Sequence, residues 1–92
     1  MEFDWDPQKA ATNLAKHEVS FEEAATVFSD PLGRIVADPR HSSEEERFVL
    51  LGLSRGQRLL AVMYVERAGT IRIISARRAT RSERRNNEEI IH

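Results

Sequence analysis

The fold is decided by residues 47–76, which read RFVLLGLSRGQRLLAVMYVERAGTIRIISA. This stretch contains three runs rich in β-branched and large apolar residues, at about 47–53, 59–65 and 70–76. Each connection between the runs is short and contains a glycine, which predicts an antiparallel meander of two hairpins. The middle run is apolar at both odd and even positions, so we expect it to be the buried central strand.

Two helices are predicted before the meander. Asp6 and Pro7 are typical of a helix start, because aspartate binds free amides and proline has no amide to leave unpaired. After a short strand around residues 3–5, the first helix should cover 7–16. Its apolar stripe is formed by Ala10, Ala11, Leu14 and Ala15.

A capping-box pattern opens the second helix, which we expect at 21–29. In this pattern Ser20 accepts a hydrogen bond from the Glu23 amide, and Glu23 reaches back to Ser20. The apolar residues of this helix recur at helical spacing, at Phe21, Ala24, Ala25 and Phe28. A turn sequence then leads to a short strand at 34–37 and to a polar loop.

Thr80 and Glu83 form a second capping-box pattern, which predicts a final helix over 81–91. Only Ile90 and Ile91 are strongly apolar there, so the helix is either a frayed tail or docks onto a partner. The element order is therefore β-α-α-β-β-β-β-α. We expect one α+β domain over residues 1–92, with a small, mostly antiparallel sheet and the two N-terminal helices on one face.

Composition excludes several classes of protein. With no cysteine in 92 residues, the chain is not a disulfide scaffold, a thiolate zinc protein or a cysteine hydrolase. No apolar run is long enough to span a bilayer, and the acidic N-terminus is unlike a signal peptide, so we expect a cytoplasmic protein. The net charge of −1 hides a split, since residues 1–46 carry −7 and residues 47–92 carry +6. Such a split indicates an anionic partner or a protein partner of complementary charge.

Arginines are concentrated in residues 72–85, where six of them accompany one acid, Glu83, and no lysine occurs. The guanidinium group binds phosphate through two parallel hydrogen bonds, so this choice favours anion recognition. Alternatively, the arginines only solvate the start of a helix. The six are Arg72, Arg77, Arg78, Arg81, Arg84 and Arg85.

Histidine is the natural candidate for proton transfer, because it gains and loses a proton near neutral pH. His17 follows Lys16 at the end of the first predicted helix, where it is either an acid/base group or a cap on a terminal carbonyl. His41 lies in the polar loop and is better explained as a solvated residue. The histidine and acid spacings match no metal site, and we expect no cofactor.

RNA cleavage is a chemistry for which these residue types suffice. The 2′-OH of RNA is its own nucleophile, so an enzyme has to orient it, move its proton and stabilise the charged phosphorane. Arginines, a histidine or lysine, and a carboxylate can do this without a metal ion.

The sequence also resembles a known family. The segment 3–24 contains FDWDP and KHEVSFEEA, and the segment 71–84 contains IRIISARRAT followed by Glu83 and Arg84. Together with Glu45, Glu46 and Arg47, these are similar to the signatures of the BrnT family, ribonuclease toxins of type II toxin–antitoxin systems. The resemblance covers about residues 3–85, nearly the whole chain.

Membership would imply a RelE-like fold, endoribonuclease activity that inhibits translation, and a BrnA-like antitoxin with a ribbon-helix-helix region. The toxin and antitoxin would bind operator DNA as a complex. The toxin would assemble either as a homodimer or as a heterotetramer with the antitoxin. One residue departs from the family pattern, since Asn87 stands where relatives commonly have a tyrosine. Asparagine cannot stack on a base comparably, so the alternative is a weak or inactive toxin homologue that only binds antitoxin or nucleic acid.

The site residues follow from this resemblance and from the metal-free chemistry. Arg47 and Arg77 would stabilise phosphate charge, and His17 beside Lys16 would transfer a proton or support it electrostatically. Glu46 would orient an arginine. The RNA backbone would be held by Arg72, Arg78 and Arg81.

Overall fold

The structure is a computed structural model, and it describes residues 1–37 and 46–91, without the side chains of residues 37 and 87–91. His41, Glu44 and Glu45 are therefore outside the described residues. Eight main elements follow each other in the predicted order: β1 (Glu2–Asp4), α1 (Pro7–His17), α2 (Phe21–Thr26), β2 (Arg34–Ala37), β3 (Phe48–Leu53), β4 (Leu59–Arg67), β5 (Thr70–Arg78) and α3 (Arg81–Ile91). None of the helices in these parts of the chain is long and apolar enough to cross a membrane.

The five strands form one sheet in the order β1-β5-β4-β3-β2. The predicted meander is confirmed, because β3, β4 and β5 pair antiparallel in sequence and β4 is the central strand. β2 adds antiparallel to β3 at one edge. β1 pairs parallel with the first residues of β5, so the sheet is mixed. The described residues thus have the predicted α+β fold, with a five-stranded mixed sheet and three helices.

The core lies between α2 and one face of the sheet. Phe21, Ala24 and Val27 come from the second helix and its final 3-10 turn, and all three are fully buried. Against them pack alternate residues of the three meander strands, which share this face because antiparallel partners point the same way. These are Leu50, Leu60, Val62, Tyr64, Ile71, Ile73 and Ala76.

The predicted apolar stripe of α1 is wrong at three of its four residues, because of the four only Ala10 packs against the core. Leu14 is 51% exposed, and Ala11 and Ala15 are also exposed, whereas Asn13 is buried with 6% of its surface accessible. The physical reason is that α1 packs against β5 beyond the point where β1 ends, so its inner face meets main-chain polar groups. An amide side chain can satisfy such groups, and an alkyl side chain cannot.

The two capping boxes behave differently. At α3 the predicted box is complete, since the Glu83 amide donates to Thr80 Oγ1 at 3.1 Å and the Thr80 amide donates to Glu83 Oε1 at 2.8 Å. At α2 only half of it forms. The Glu23 amide binds Ser20 Oγ at 3.0 Å, but the Glu23 carboxylate accepts hydrogen bonds from Ser54 and Arg58 instead of reaching back. A full positive charge is a stronger partner than one backbone amide.

Candidate active site

His17 and Lys16 are at the C-terminal end of α1, which lies beside the last residues of β5. The helix ends at Glu18, which takes a left-handed conformation (φ 59°) and donates its amide to the Leu14 carbonyl. Arg58 donates to the Glu18 carbonyl at 2.9 Å. The alternative role of His17 was to cap the helix by binding a terminal carbonyl. At the Glu18 carbonyl, Arg58 provides this hydrogen bond.

Asn13 fixes the position of α1 along β5. Its Nδ2 donates to the Ala76 carbonyl at 2.8 Å, and its Oδ1 accepts from the Ala76 amide at 3.0 Å. The side chain thus pairs with both main-chain groups of one strand residue, as a neighbouring strand would. Nδ2 also donates to the Val19 carbonyl at 2.9 Å, which anchors the turn after α1. His17 lies one helical turn beyond Asn13, so these bonds set its position relative to Arg77.

A β-bulge in β5 orients Arg77. Met63 and Tyr64 are consecutive on β4, but their partners on β5 are Ser75 and Ile73, so one residue of β5 is left over. Residues two apart normally share a face, yet the buried residues Ile73 and Ala76 are three apart. The bulge is what places Ala76 in the core and Arg77 on the opposite side of the strand.

His17, Lys16, Arg77 and Arg78 line one open groove of about 410 Å³, between the end of α1 and the end of β5. Ala15 and Glu18 complete its wall. His17 is half-buried and Lys16 is exposed. The structure thus brings together four of the residues that the sequence singled out, from segments 60 residues apart in the chain. An acid/base group and several cations in one groove suit a phosphate ester.

A second groove of about 730 Å³ continues along α1 and shares Lys16 and His17 with the first. The residues that line it include Thr12 and Ser75. A chain-like ligand crossing His17 could therefore follow either groove.

Arg77 is bound by Glu83. Its Nη1 donates to Oε1 at 2.8 Å and its Nη2 donates to Oε2 at 3.2 Å, which is a two-bond ion pair. The hydrogen bond from Arg77 lowers the pKa of Glu83, and the bond to Glu83 raises the pKa of Arg77. Both groups stay charged at neutral pH.

Arg78 is exposed, and its side chain has no hydrogen-bond partner among the described residues. It lies near the ion pair of Glu23 and Arg58. The pKa of Glu23 is lowered mainly by the hydrogen bond from Arg58, against the opposing effect of burial, and the charge of Arg78 acts in the same direction as Arg58. Arg78 is therefore available to an external anion.

The other predicted residues lie elsewhere. Arg72 pairs with Asp4 across β5 and β1, and Arg81 is exposed at the start of α3. Glu46 and Arg47 precede β3, whose first residue is level with Ile73 of β5. Arg77 lies four residues further along, about 13 Å at ~3.3 Å per residue. Arg47 is thus not brought into the groove with Arg77.

Sequence reasoning missed two residues of this site. Asn13 is not part of the apolar stripe predicted for α1, yet an asparagine inside a helix is unfavourable and indicates a tertiary contact. Glu83 was recognised only as a helix cap. Its pairing with Arg77 crosses a turn, and no spacing rule for one helix or strand connects the two.

The fold and the groove define a small α+β domain with a histidine among cations. Comparisons with known proteins agree with this class. The family model described as "Ribonuclease toxin, BrnT, of type II toxin-antitoxin system" matches residues 5–83, so the chain belongs to the BrnT family of ribonuclease toxins. No curated protein matches the chain.

Among solved structures, the crystal structure of the Brucella abortus ribonuclease toxin BrnT is similar. The identity is 25%, and the match covers 88% of this chain and 99% of the other, with a TM-score of 0.64. A family of type II toxins implies an antitoxin partner.

Proposed function

We propose that this chain is a metal-independent endoribonuclease that inhibits translation by cleaving RNA in the cytoplasm. The observation that carries the proposal is the groove in which His17 and Lys16 meet Arg77 and Arg78. Within a family of ribonuclease toxins, this groove has the groups that cleavage by the 2′-OH requires. A RelE-like fold is part of the same proposal.

In the proposed reaction, the 2′-oxygen forms a bond to phosphorus and the bond to the 5′-oxygen breaks. His17, supported by the charge of Lys16, accepts the proton of the 2′-OH or delivers one to the leaving oxygen. Arg77 stabilises the negative charge that builds up on the phosphorane oxygens. The products are a 2′,3′-cyclic phosphate and a 5′-hydroxyl.

The remaining cations would hold the RNA away from the reacting phosphate. Arg78 lines the groove, whereas Arg72 lies earlier in β5 and Arg81 at the start of α3. Because Arg47 is at the other end of the sheet, we assign it to a different phosphate from the one that Arg77 binds, with Glu46 beside it. Such contacts supply affinity without sequence preference.

The partner in this proposal is a BrnA-like antitoxin with a ribbon-helix-helix region, which neutralises the toxin and carries it to operator DNA. The arginines of β5 and α3 would then serve twice, for RNA in the free toxin and for the antitoxin in the complex, either as a homodimer or in a heterotetramer. Competition between RNA and antitoxin for the same cations would switch the activity off.

A second candidate function is binding without cleavage, and Asn87 is the observation that favours it. In this case the chain holds antitoxin or nucleic acid and turns over no RNA. Asn87 lies in α3, and its side chain is outside the described residues.

The experiment that separates the two is cleavage of a labelled RNA by the purified chain in excess EDTA. We expect products with 2′,3′-cyclic phosphate ends, and a large loss of cleavage in Arg77→Ala and His17→Gln. Arg55→Ala is a matched control, because Arg55 is equally an arginine but lines a different groove. Intact RNA with bound protein would support the second candidate, and cleavage only with added metal would refute metal independence.

A further inference from the structure

The Arg77 side chain uses only part of its hydrogen-bonding capacity. Of the five N–H groups of a guanidinium, three are engaged: two with the Glu83 carboxylate and one, from Nη1, with the Arg78 carbonyl at 3.3 Å. The other two are Nε–H and the second N–H of Nη2, and no described residue accepts a bond from Nε. These two groups lie parallel along one edge of the planar group, which is the geometry that two phosphate oxygens match.

Glu83 is itself held in place. Its Oε1 accepts the Thr80 amide as well as Arg77 Nη1, and its own amide donates to Thr80 Oγ1. The main-chain amide of Thr80 therefore positions the carboxylate independently of Arg77, whereas the Thr80 hydroxyl bonds only the Glu83 amide. Its side chain is 30% exposed and that of Arg77 is 31% exposed, so the pair is partly shielded from water.

We propose that Glu83 is a positioning residue, which holds Arg77 by its Nη1/Nη2 edge and presents the Nε/Nη2 edge to a single phosphate group in the groove with His17. This inference rests on the proposed function, whose reacting phosphate it places on a defined edge of Arg77. The two-bond ion pair with Glu83 already restricts the rotation of the Arg77 side chain. Less conformational entropy is therefore lost when the substrate binds.

The geometry favours positioning over competition. A carboxylate that competed with phosphate would occupy the edge that the ligand needs, whereas Glu83 leaves a complete two-donor edge open. Glu83 also stays charged beside Arg77, because the hydrogen bond from Arg77 stabilises its ionised form. The arginine can therefore bind phosphate without first losing its existing partner.

Glu83→Gln tests the assignment in RNA cleavage. Glutamine keeps one oxygen for the Thr80 amide but loses the charge and the second acceptor for Arg77. We expect kcat to fall about tenfold to a hundredfold with KM changed less than about threefold, as for a misplaced reacting group. Thr80→Ala removes the hydroxyl of the same capping box and leaves the carboxylate, so it should lower stability and leave kcat unchanged. Glu22→Gln is the matched control for the loss of one acid, because Glu22 is exposed in the first turn of α2.

Glu83→Gln with unchanged kcat would overturn the inference, even if the wild type cleaves RNA well. Faster cleavage with tighter binding would also overturn it, because Glu83 would then be a competitor. A drop in kcat that Thr80→Ala reproduces would show that only the helix cap matters, and would overturn it too.

A second measurement does not need cleavage. Arginine Nε–H signals are resolved in 15N NMR spectra, and we would titrate the wild type with inorganic phosphate and with a 2′-O-methyl RNA that cannot react. The Arg77 Nε–H signal should shift on addition of either ligand, and the shift should be smaller in Glu83→Gln. No shift of this signal in the wild type would refute the inference, whether or not the variant folds. A shift in a wild type that cleaves no RNA would support the inference while the proposed function fails.

Discussion

Replacing Asn13 by alanine should destabilise the domain strongly, because this asparagine is buried. The change removes three buried hydrogen bonds, to both main-chain groups of Ala76 and to the Val19 carbonyl. Each buried group left without a partner costs about 1–3 kcal/mol. The helix itself gains roughly 0.5 kcal/mol, because alanine is the better helix former.

With each of the three groups near the low end of that range, the sum is a loss of about 3 kcal/mol in the free energy of unfolding. In a domain of this size that corresponds to a fall in melting temperature of roughly 12–24 °C. Thr12→Ala is the control, since Thr12 is the exposed neighbour of Asn13 on the same helix and should change the free energy of unfolding by less than about 0.5 kcal/mol.

The assay is equilibrium unfolding in urea, monitored by circular dichroism, with the slope of the transition compared between the variants. A loss below about 1 kcal/mol for Asn13→Ala would refute the reasoning, because three buried partners cannot be abandoned so cheaply. At temperatures where the variant is still folded, RNA cleavage should fall as well, since the height of His17 relative to Arg77 is set by these bonds.

Three further predictions concern charge and the last helix. The pKa of Glu23 is lowered by its hydrogen bond from Arg58, so the pair stabilises the fold above the unfolded pKa of about 4.5, and this contribution is lost as the pH falls through the lower folded value. The difference in stability between wild type and Arg58→Met should therefore shrink as the pH falls below about 4.5, and a constant difference would contradict it. Arg78→Ala should reduce the salt slope of single-stranded RNA binding by about 0.7, measured by fluorescence anisotropy at several salt concentrations, and an unchanged slope would show that Arg78 contacts no phosphate. Asn87→Tyr should tighten RNA binding by about 1–3 kcal/mol in the same assay if the aromatic ring stacks on a base, and equal affinity would remove the argument for a weakened toxin.

Local patterns predicted the fold well where neighbours in sequence are neighbours in space. The hairpins of the meander follow from short glycine-containing connections, and the α3 capping box follows from Thr80 and Glu83 alone. Most of the α1 stripe was wrong because counting apolar residues assumes that a helix faces an apolar surface. At the side of β5 the helix meets main-chain groups, and these select Asn13 rather than Leu14.

The candidate site was predictable in its residue types and not in its arrangement. The sequence and its family resemblance singled out His17, Lys16, Arg77 and Arg78, and the structure places all four in one groove. Arg47 was assigned the same role as Arg77, but the register of the sheet puts it at the other end. Residues that resemble a family motif equally well can therefore belong to different parts of a surface.

By itself, the sequence determined the family, the order of the elements, the central strand and the concentration of arginine near the C-terminus. These properties depend on composition, on periodicity and on connections of a few residues. Tertiary structure alone decided that β1 pairs parallel with β5, that Asn13 holds α1 against β5, and that Glu83 binds one edge of the Arg77 guanidinium. Each of these contacts depends on the exact height of one segment against another. A bulge of one residue changes that height, and no pattern within a single element records it.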